Sequence, residues 1–183
     1  MVINKLGGLV LALVVASCAV SLPYSSDYPM TNTFVRSRDG LLDGKIPQGW
    51  FSATEDSLGT ALTMLLISDA TRATLAVKEI KLDRISLRQT QERGLALLAR
   101  ISASSRLAGS GTTASELQEF SLHSNKFCGY ELMEGPTRTR VVVFFAKGRY
   151  YECEAQGGGK NLNKEQYTLI FSTQQTFLSS LSF

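Results

Sequence analysis

The alternation of hydrophobic and polar residues changes its period along the chain. In residues 62–80 and 117–155, apolar residues come in short runs separated by turn-forming residues, a pattern typical of β-strands. In residues 84–104 and after Asn163, apolar residues recur at helical spacing, which is typical of helices that pack on a core. The pattern therefore predicts a single α+β domain with an antiparallel β-sheet covered by helices.

The strand signals form a hairpin followed by a meander. Residues 62–67 and 73–80 flank a short turn, although the first of these runs is also compatible with a helix. Further strands are predicted at residues 117–122, 127–133, 138–146 and 149–155. Because residues 141–145 are apolar at every position, we expect that strand to be central and covered on both faces.

Both helical segments carry signals for their first turns. In the segment at about residues 84–104, Ser86 and Gln89 have the spacing of a capping box. Its predicted inward face consists of Leu87, Leu95, Leu98 and Ile101. In the last helix, Asn163 is the predicted N-cap and Gln166 completes its capping box. The inward stripe of that helix consists of Tyr167, Ile170, Phe171, Leu178 and Leu181.

Composition and charge limit the class of protein. The 183 residues are 44% hydrophobic, which is enough apolar material for one domain with its own core. Lys and Arg number 19 against 16 Asp and Glu, which gives a net charge of only +3. Because nucleic-acid-binding domains carry a strongly basic surface, no nucleic-acid partner is expected.

The N-terminal residues have the pattern of an export signal. Lys5 precedes an apolar run at residues 6–15, and small residues follow it up to Cys18. Residues 15–18, Val-Ala-Ser-Cys, resemble the lipobox of bacterial lipoproteins. That resemblance implies cleavage before Cys18 and acylation of Cys18 with fatty acids such as palmitate. The alternatives are an ordinary secretory signal and an uncleaved anchor, which is disfavoured because a spanning helix needs about 20 apolar residues.

The lipoprotein resemblance also implies a domain organisation and a location. We expect a signal peptide at residues 1–17, an acylated cysteine and flexible spacer at residues 18–33, and one domain at residues 34–183. Several acyl chains on Cys18 anchor a protein stably, so the lipid bilayer is an expected partner. Ala19 stands where an aspartate retains enterobacterial-type lipoproteins in the inner membrane. We therefore expect the outer membrane, with the domain facing the periplasm.

A search for catalytic and metal-binding groups finds little. His123 is the only histidine, and no Gly-x-Ser-x-Gly motif presents a nucleophilic serine. One histidine and distant cysteines lack the spacing of a zinc site. The Gly-Gly-Gly-Lys run at residues 157–160 lacks the remaining positions of a phosphate-binding loop and is interpreted as a hinge. We predict no catalytic residue, metal or cofactor, and the sequence favours a non-enzymatic protein.

Cys128 and Cys153 remain once Cys18 carries lipid, and an oxidising periplasm permits them to form a disulfide. In the predicted meander, however, another strand lies between theirs, which places them about 9.6 Å apart. A disulfide requires less than about 7 Å between Cα atoms. Two buried thiols and a bridge made by a bulge or a different strand order both stay open.

The order of elements resembles the PsbP-like family, which includes bacterial lipoproteins and an extrinsic subunit of photosystem II. The resemblance covers about residues 46–183, and its most recognisable parts are the Ile-Pro-Gln-Gly-Trp sequence at residues 46–50 and the Ser-Leu-Ser-Phe ending. It implies an α/β/α sandwich with an antiparallel sheet between helical layers. It implies no functional residue, because the metal-binding positions of some members have no counterpart here.

Two hypotheses for the function follow. The first is a non-catalytic binding or assembly module that presents a sheet or groove to a protein of the cell envelope. The second is a small-ligand carrier or unrecognised hydrolase with a pocket near Trp50. Trp50 and Phe51 are the candidate ligand or partner surface in either case. A broad exposed apolar patch would favour the first hypothesis, and a deep apolar pocket with convergent polar groups the second.

The lipobox interpretation predicts the behaviour of Cys18→Ala. Without the thiol that accepts lipid, the variant should incorporate no fatty acid, and it should accumulate as precursor or leave the membrane fraction. Metabolic labelling with a radioactive fatty acid measures this directly. Labelling of Cys18→Ala at the level of the parent protein would rule out the lipobox.

Overall fold

The computed structural model describes residues 22–53, 62–108, 111–159 and 162–182, so Cys18 and the predicted signal peptide lie outside the described residues. The strands are β1 Met30–Arg36, β2 Asp43–Pro47, β3 Trp50–Ser52, β4 Leu62–Ser68, β5 Thr74–Ile80, β6 Thr113–Ala114, β7 Gln118–Leu122, β8 Asn125–Glu134, β9 Thr137–Ala146 and β10 Arg149–Gln156. The helices are α1 Arg84–Arg93, α2 Leu95–Leu107 and α3 Lys164–Ser180. Across the part of the chain described here, none of these helices is long and apolar enough to span a membrane.

The strands form one large antiparallel sheet and a small one. The large sheet has the order β3-β4-β5-β10-β9-β8-β6, and β7 also pairs with β8. Strands β1 and β2 form a separate two-stranded sheet. The predicted hairpin and meander are confirmed, and the ambiguous run at residues 62–67 is a strand. The predicted α+β class with a single domain is confirmed as well.

Strand β9 is covered on both faces, as its unbroken apolar sequence predicts. Val142 and Phe144 face α3 and the small sheet, within one hydrophobic cluster. Val141 and Val143 face α2 within a second cluster. All four side chains are fully buried. Helical layers therefore lie on opposite sides of the large sheet.

The helix predicted at residues 84–104 is two helices. Gly94 adopts a left-handed φ of 75° and separates α1 from α2. A left-handed φ is far more accessible to glycine than to other residues, so the chain can change direction there. Asp83, and not the predicted Ser86, caps α1 by accepting hydrogen bonds from the amides of Ile85 and Ser86.

The predicted inward face of that segment is only partly correct. In α2, Leu98 is buried against the sheet and Leu95 is half-buried. Leu87 and Ile101, however, are 36% and 47% exposed. The turn at Gly94 breaks the helical phase that would align Leu87 with Leu98, and α1 packs against α2. The prediction of one continuous stripe was therefore wrong.

Helix α3 has the start and the buried stripe that the sequence predicts. The Asn163 side chain accepts a hydrogen bond of 2.8 Å from the Gln166 amide, and the Gln166 side chain accepts one of 2.9 Å from the Asn163 amide. Every residue of the predicted inward stripe is buried. After the helix, the Ser182 amide donates to the carbonyl of Asp43, which fixes the end of the chain to β2.

The segment before residue 34 is folded onto the domain from Tyr24 onward. Strand β1 begins at Met30, and the Tyr28 amide donates to the Thr176 hydroxyl of α3 at 3.1 Å. The Tyr24 ring packs edge-on against Phe171, with 5.3 Å between ring centroids. The expectation of a flexible spacer through residue 33 was wrong for this part, because the two tyrosines supply apolar surface that the domain buries.

The glycines after β10 serve close packing. A Cβ atom at Gly158 would lie 2.1 Å from the carbonyl oxygen of Arg72, a backbone atom that has little room to move. A Cβ atom at Gly157 would lie 2.2 Å from the Leu162 side chain. Glycine at these positions therefore lets the chain pass close to Arg72, in the turn before β5, and to Leu162, just before α3, whereas the sequence predicted a hinge.

Because both faces of β9 are covered, a charged side chain on either face should destabilise the protein. Val142→Asp and Val143→Asp each bury a carboxylate without a partner, at a cost of several kcal/mol against a total stability of about 5–15 kcal/mol. Both variants should unfold in thermal melts monitored by circular dichroism. Thr33→Asp, on the exposed side of β1, is the control and should melt near the parent protein. A melt of either valine variant within a few degrees of the parent would show that its face is open to water.

Candidate functional site

The two predicted surface residues lie on opposite faces of strand β3. Neighbouring residues of a strand point to opposite sides of the sheet. Trp50 is 8% exposed and belongs to the core beneath α3, whereas Phe51 is 49% exposed on the other face. The prediction of a shared surface was therefore wrong for Trp50, and Phe51 alone remains as a surface residue.

Phe51 belongs to an apolar surface that spans three strands. It lies opposite Ile67 of β4, and Leu65 of β4 lies opposite Ala76 of β5. Apart from the half-exposed Phe51, these side chains are partly buried. Among the described residues, helix α2 packs mainly over β6, β8 and β9 rather than over this part of the sheet. We call Phe51, Leu65, Ile67 and Ala76 the open face.

A groove lies between β5 and α2. It encloses about 340 Å³ between β5 and the helix. Its apolar lining consists of Ile80, Leu82, Leu98 and Ile101. Ile101 is 47% exposed, so the groove wall also presents apolar surface to solvent. We call this the α2 groove.

Ion pairs hold α2 at the border of the groove. Arg106 of α2 donates to Glu152 and to Glu154 of β10, at 2.7 Å each. Lys78 of β5 lies 3.5 Å from Glu154. Burial opposes ionisation of Glu154, but the hydrogen bond from Arg106 and the two positive charges outweigh it and lower the pKa of this carboxyl. The network is electrically balanced and fixes the position of the helix.

On the opposite side of the sheet, a guanidinium lies in the core. Arg140 of β9 is 1% exposed. Its Nη2 donates to the Gln175 side chain at 2.7 Å, and its Nη1 donates to the Gln174 side chain at 3.1 Å. Its Cζ lies 4.7 Å from the centroid of the Tyr24 ring and 5.4 Å from that of Phe120. Burial lowers the pKa of Arg140 to about 10, so the group stays charged at neutral pH.

Tyr24 contacts both the Arg140 guanidinium, through its ring, and the carboxylate of Glu131, through its hydroxyl. The Tyr24 hydroxyl donates to one oxygen of Glu131, and Arg138 donates to the other. Burial and the hydrogen bond to Glu131 raise the pKa of Tyr24 to about 12. The groups are already engaged with one another and with α3, so this cluster holds the N-terminal segment and helix in place.

His123 lies in the turn between β7 and β8 with a left-handed φ of 53°. Its Nε2 is 3.2 Å from the Ser179 hydroxyl of α3. Within the described residues the ring has no carboxylate partner to orient it as a catalytic base, and no cluster of three metal-ligating side chains occurs there. Among the described residues, the His123–Ser179 pair thus lacks the third, carboxylate member of a Ser-His-Asp triad.

The two cysteines are free thiols on opposite faces of the sheet. Cys153 lies opposite Val142 and Cys128 opposite Val143, so the intervening β9 separates them as the predicted meander requires. Burial raises the pKa of Cys128 to about 11 and that of Cys153 to about 12. Of the two alternatives that the sequence left open, the structure therefore has the pair of buried thiols.

The buried guanidinium predicts a large loss of stability in Arg140→Ala. Removing it leaves a cavity and unpaired amide oxygens on Gln174 and Gln175, at a cost of about 3–5 kcal/mol. Arg149→Ala is the matched control, because that side chain is 44% exposed and its ion pairs contribute at most about 1 kcal/mol. Urea unfolding measures both free energies. Equal losses in the two variants would contradict a structural role for Arg140.

Comparisons with known proteins inform the fold. No protein-family model matches the chain, and no curated protein sequence matches it significantly. Among solved structures, cyanobacterial PsbP from Synechocystis sp. PCC 6803 matches with a TM-score of 0.50 and 12% identity, over 82% of this chain and 91% of that one. LpqN of Mycobacterium tuberculosis matches with a TM-score of 0.50 and 11% identity, over 82% of this chain and 88% of that one.

These identities are too low to carry an activity or a site from either neighbour to this chain. The two neighbouring structures share with this chain only the fold, which here is an antiparallel sheet between helical layers. The chain therefore has a PsbP-like fold, as the sequence resemblance implied.

Proposed function

We propose that this protein is a lipid-anchored module of the bacterial cell envelope that binds another envelope protein through the open face and performs no catalysis. The open face carries this proposal. Single exposed apolar residues are common on protein surfaces, but the open face joins apolar residues of three adjacent strands. Continuous apolar surface of this kind is typical of protein–protein interaction sites.

The position of the N-terminal segment is compatible with an anchor at Cys18. Helix α3 begins near the turn between β8 and β9, where the Tyr167 hydroxyl donates to the Pro136 carbonyl at 3.3 Å. The segment runs alongside α3, from Phe171 at Tyr24 to Thr176 at Tyr28. The chain between Cys18 and Tyr24 reaches at most about 20 Å. An acylated Cys18 would therefore direct this end of the sheet toward the bilayer.

Such an orientation leaves the open face accessible from the side. The open face lies on the side of the sheet opposite α3 and Tyr24, so the described part of the N-terminal segment does not cover it. A partner in the same membrane, or one beside it in the periplasm, could then reach Phe51 and the α2 groove. We propose the outer membrane as the location, on the basis of Ala19.

One structural neighbour supports the proposed location in the cell envelope. LpqN is described as involved in cell envelope biogenesis in Mycobacterium tuberculosis. We extend that setting, but no particular partner or process, to this chain. The alternative of a ligand pocket beside Trp50 loses its main support, because the Trp50 side chain is part of the core.

Photo-crosslinking in intact cells tests the proposal. A benzophenone amino acid at position 51 should give a discrete adduct with one envelope protein, because Phe51 is the most exposed residue of the proposed interface. The same group at Phe34, which is 61% exposed on β1, is the matched control and should give no such adduct. Ile67→Asp should remove the adduct at position 51 without unfolding the protein, because it places a charge beside Phe51.

Three results would argue against the proposal. Equal crosslinking at positions 51 and 34, or an adduct that survives Ile67→Asp, would show that the open face is not the interface. Loss of function in His123→Ala with an unchanged melting curve would instead indicate chemistry at the His123 turn. General acid–base groups contribute about 10²–10⁴-fold to rates, so such a loss would be easily measured.

A further inference from the structure

A second cavity lies where the helices meet the far end of the sheet. It encloses about 510 Å³, within the range of about 300–1,000 Å³ that is typical of small-ligand sites. The junction of α1 and α2 at Gly94 forms one wall, the turn before β8 forms another, and β9 and β10 form the floor. Residues from three separate parts of the chain thus converge on it.

An aromatic pair forms the floor of this cavity. Phe145 of β9 and Tyr150 of β10 lie opposite each other, with 4.9 Å between ring centroids and 54° between ring planes. Phe145 is 50% exposed, so much of its ring is available to a ligand. An exposed aromatic ring in a cavity favours a planar or apolar group packed against it.

Two polar side chains at the cavity are available to a ligand. The Tyr150 ring is packed, and its hydroxyl forms no hydrogen bond to the described residues and is not one of their buried unpartnered atoms, so it reaches solvent at the cavity. A hydroxyl in this position can donate to or accept from a polar ligand group. Lys126 also lines the cavity and has no ion-pair partner in the described part of the chain.

The start of α2 adds further donors. Gly94 precedes α2 and has no side chain to cap the first amides of the helix. Such amides, together with the helix dipole, favour a negatively charged group. Gly94 and Leu95 both line the cavity, on the wall that faces Lys126 and its turn. Lys126 and the first amides of α2 therefore both favour a negatively charged ligand group.

We infer that this cavity binds a small organic anion with a planar body, with the ring against Phe145 and the anionic group near Lys126, the Tyr150 hydroxyl and the start of α2. The site is separate from the open face, because its residues lie at the helix junction and at the end of β9 and β10. It stands whether or not the proposed partner binding is correct. Nothing in it requires a reaction, so the inference concerns binding alone.

Equilibrium dialysis of the full chain in detergent tests the inference, with 2-naphthoate as the probe and 2-naphthamide as its neutral analogue. A protein-free detergent sample corrects for partition into micelles. The parent protein should bind one naphthoate and bind the amide more weakly. Lys126→Gln should weaken naphthoate binding about tenfold and leave amide binding unchanged, because it removes only the charge. Phe145→Ala should weaken binding of both probes.

Two controls locate the site. Lys147→Gln changes an exposed lysine outside the cavity lining, and Phe51→Ala changes a half-exposed phenylalanine on the open face; neither should affect naphthoate binding. Tyr150→Phe keeps the packed ring and removes only the hydroxyl, so it should weaken naphthoate binding without changing the melting curve. It keeps the test valid even if Phe145→Ala is unstable.

Several outcomes would overturn the inference. They are absence of saturable naphthoate binding, equal binding of the neutral amide, and equal effects of Lys126→Gln and Lys147→Gln. A loss in Phe51→Ala but not in Tyr150→Phe would place the probe on the open face instead. None of these outcomes bears on crosslinking at position 51, so failure of the anion site and failure of the proposed function are distinguishable.

Discussion

The packing of this protein depends on how it accommodates one buried positive charge. Arg140 lies on a central strand where an apolar residue would be expected, and moving its guanidinium out of water is costly without compensation. Two glutamine side chains of α3 and two aromatic rings supply that compensation. Because one of these rings is that of Tyr24, the same charge joins the sheet, the last helix and the N-terminal segment.

Local signals predicted the elements whose determinants are close together in sequence. The Asn163 cap, the apolar stripe of α3 and the alternation of the strands depend on residues a few positions apart, and the structure confirms them. The break at Gly94 shows the limit of this approach. An isolated glycine within a helical pattern is often tolerated, so the pattern alone does not show that this one ends a helix.

The candidate sites were harder to predict because they depend on distant contacts. Tyr24 and its acceptor Glu131 are 107 residues apart, and no short-range pattern distinguishes the buried Arg140 from Arg138 two residues earlier. The sequence identified Phe51 but wrongly joined it to Trp50, although strand alternation alone would have separated them. The extent of the open face could not be predicted, since it depends on which strands α2 covers.

The course of the N-terminal segment has a mechanical consequence. The segment lies along α3 and enters from the end where that helix begins. In the proposed anchored state, a pull from the membrane acts along the segment and loads its contacts at Tyr24 and Tyr28 together, in shear. If the segment ran along α3 in the opposite direction, the same pull would break its contacts one at a time. The anchored domain should thus resist detachment of its first strand under tension, and force would reach the core through the contact of Tyr24 with Arg140.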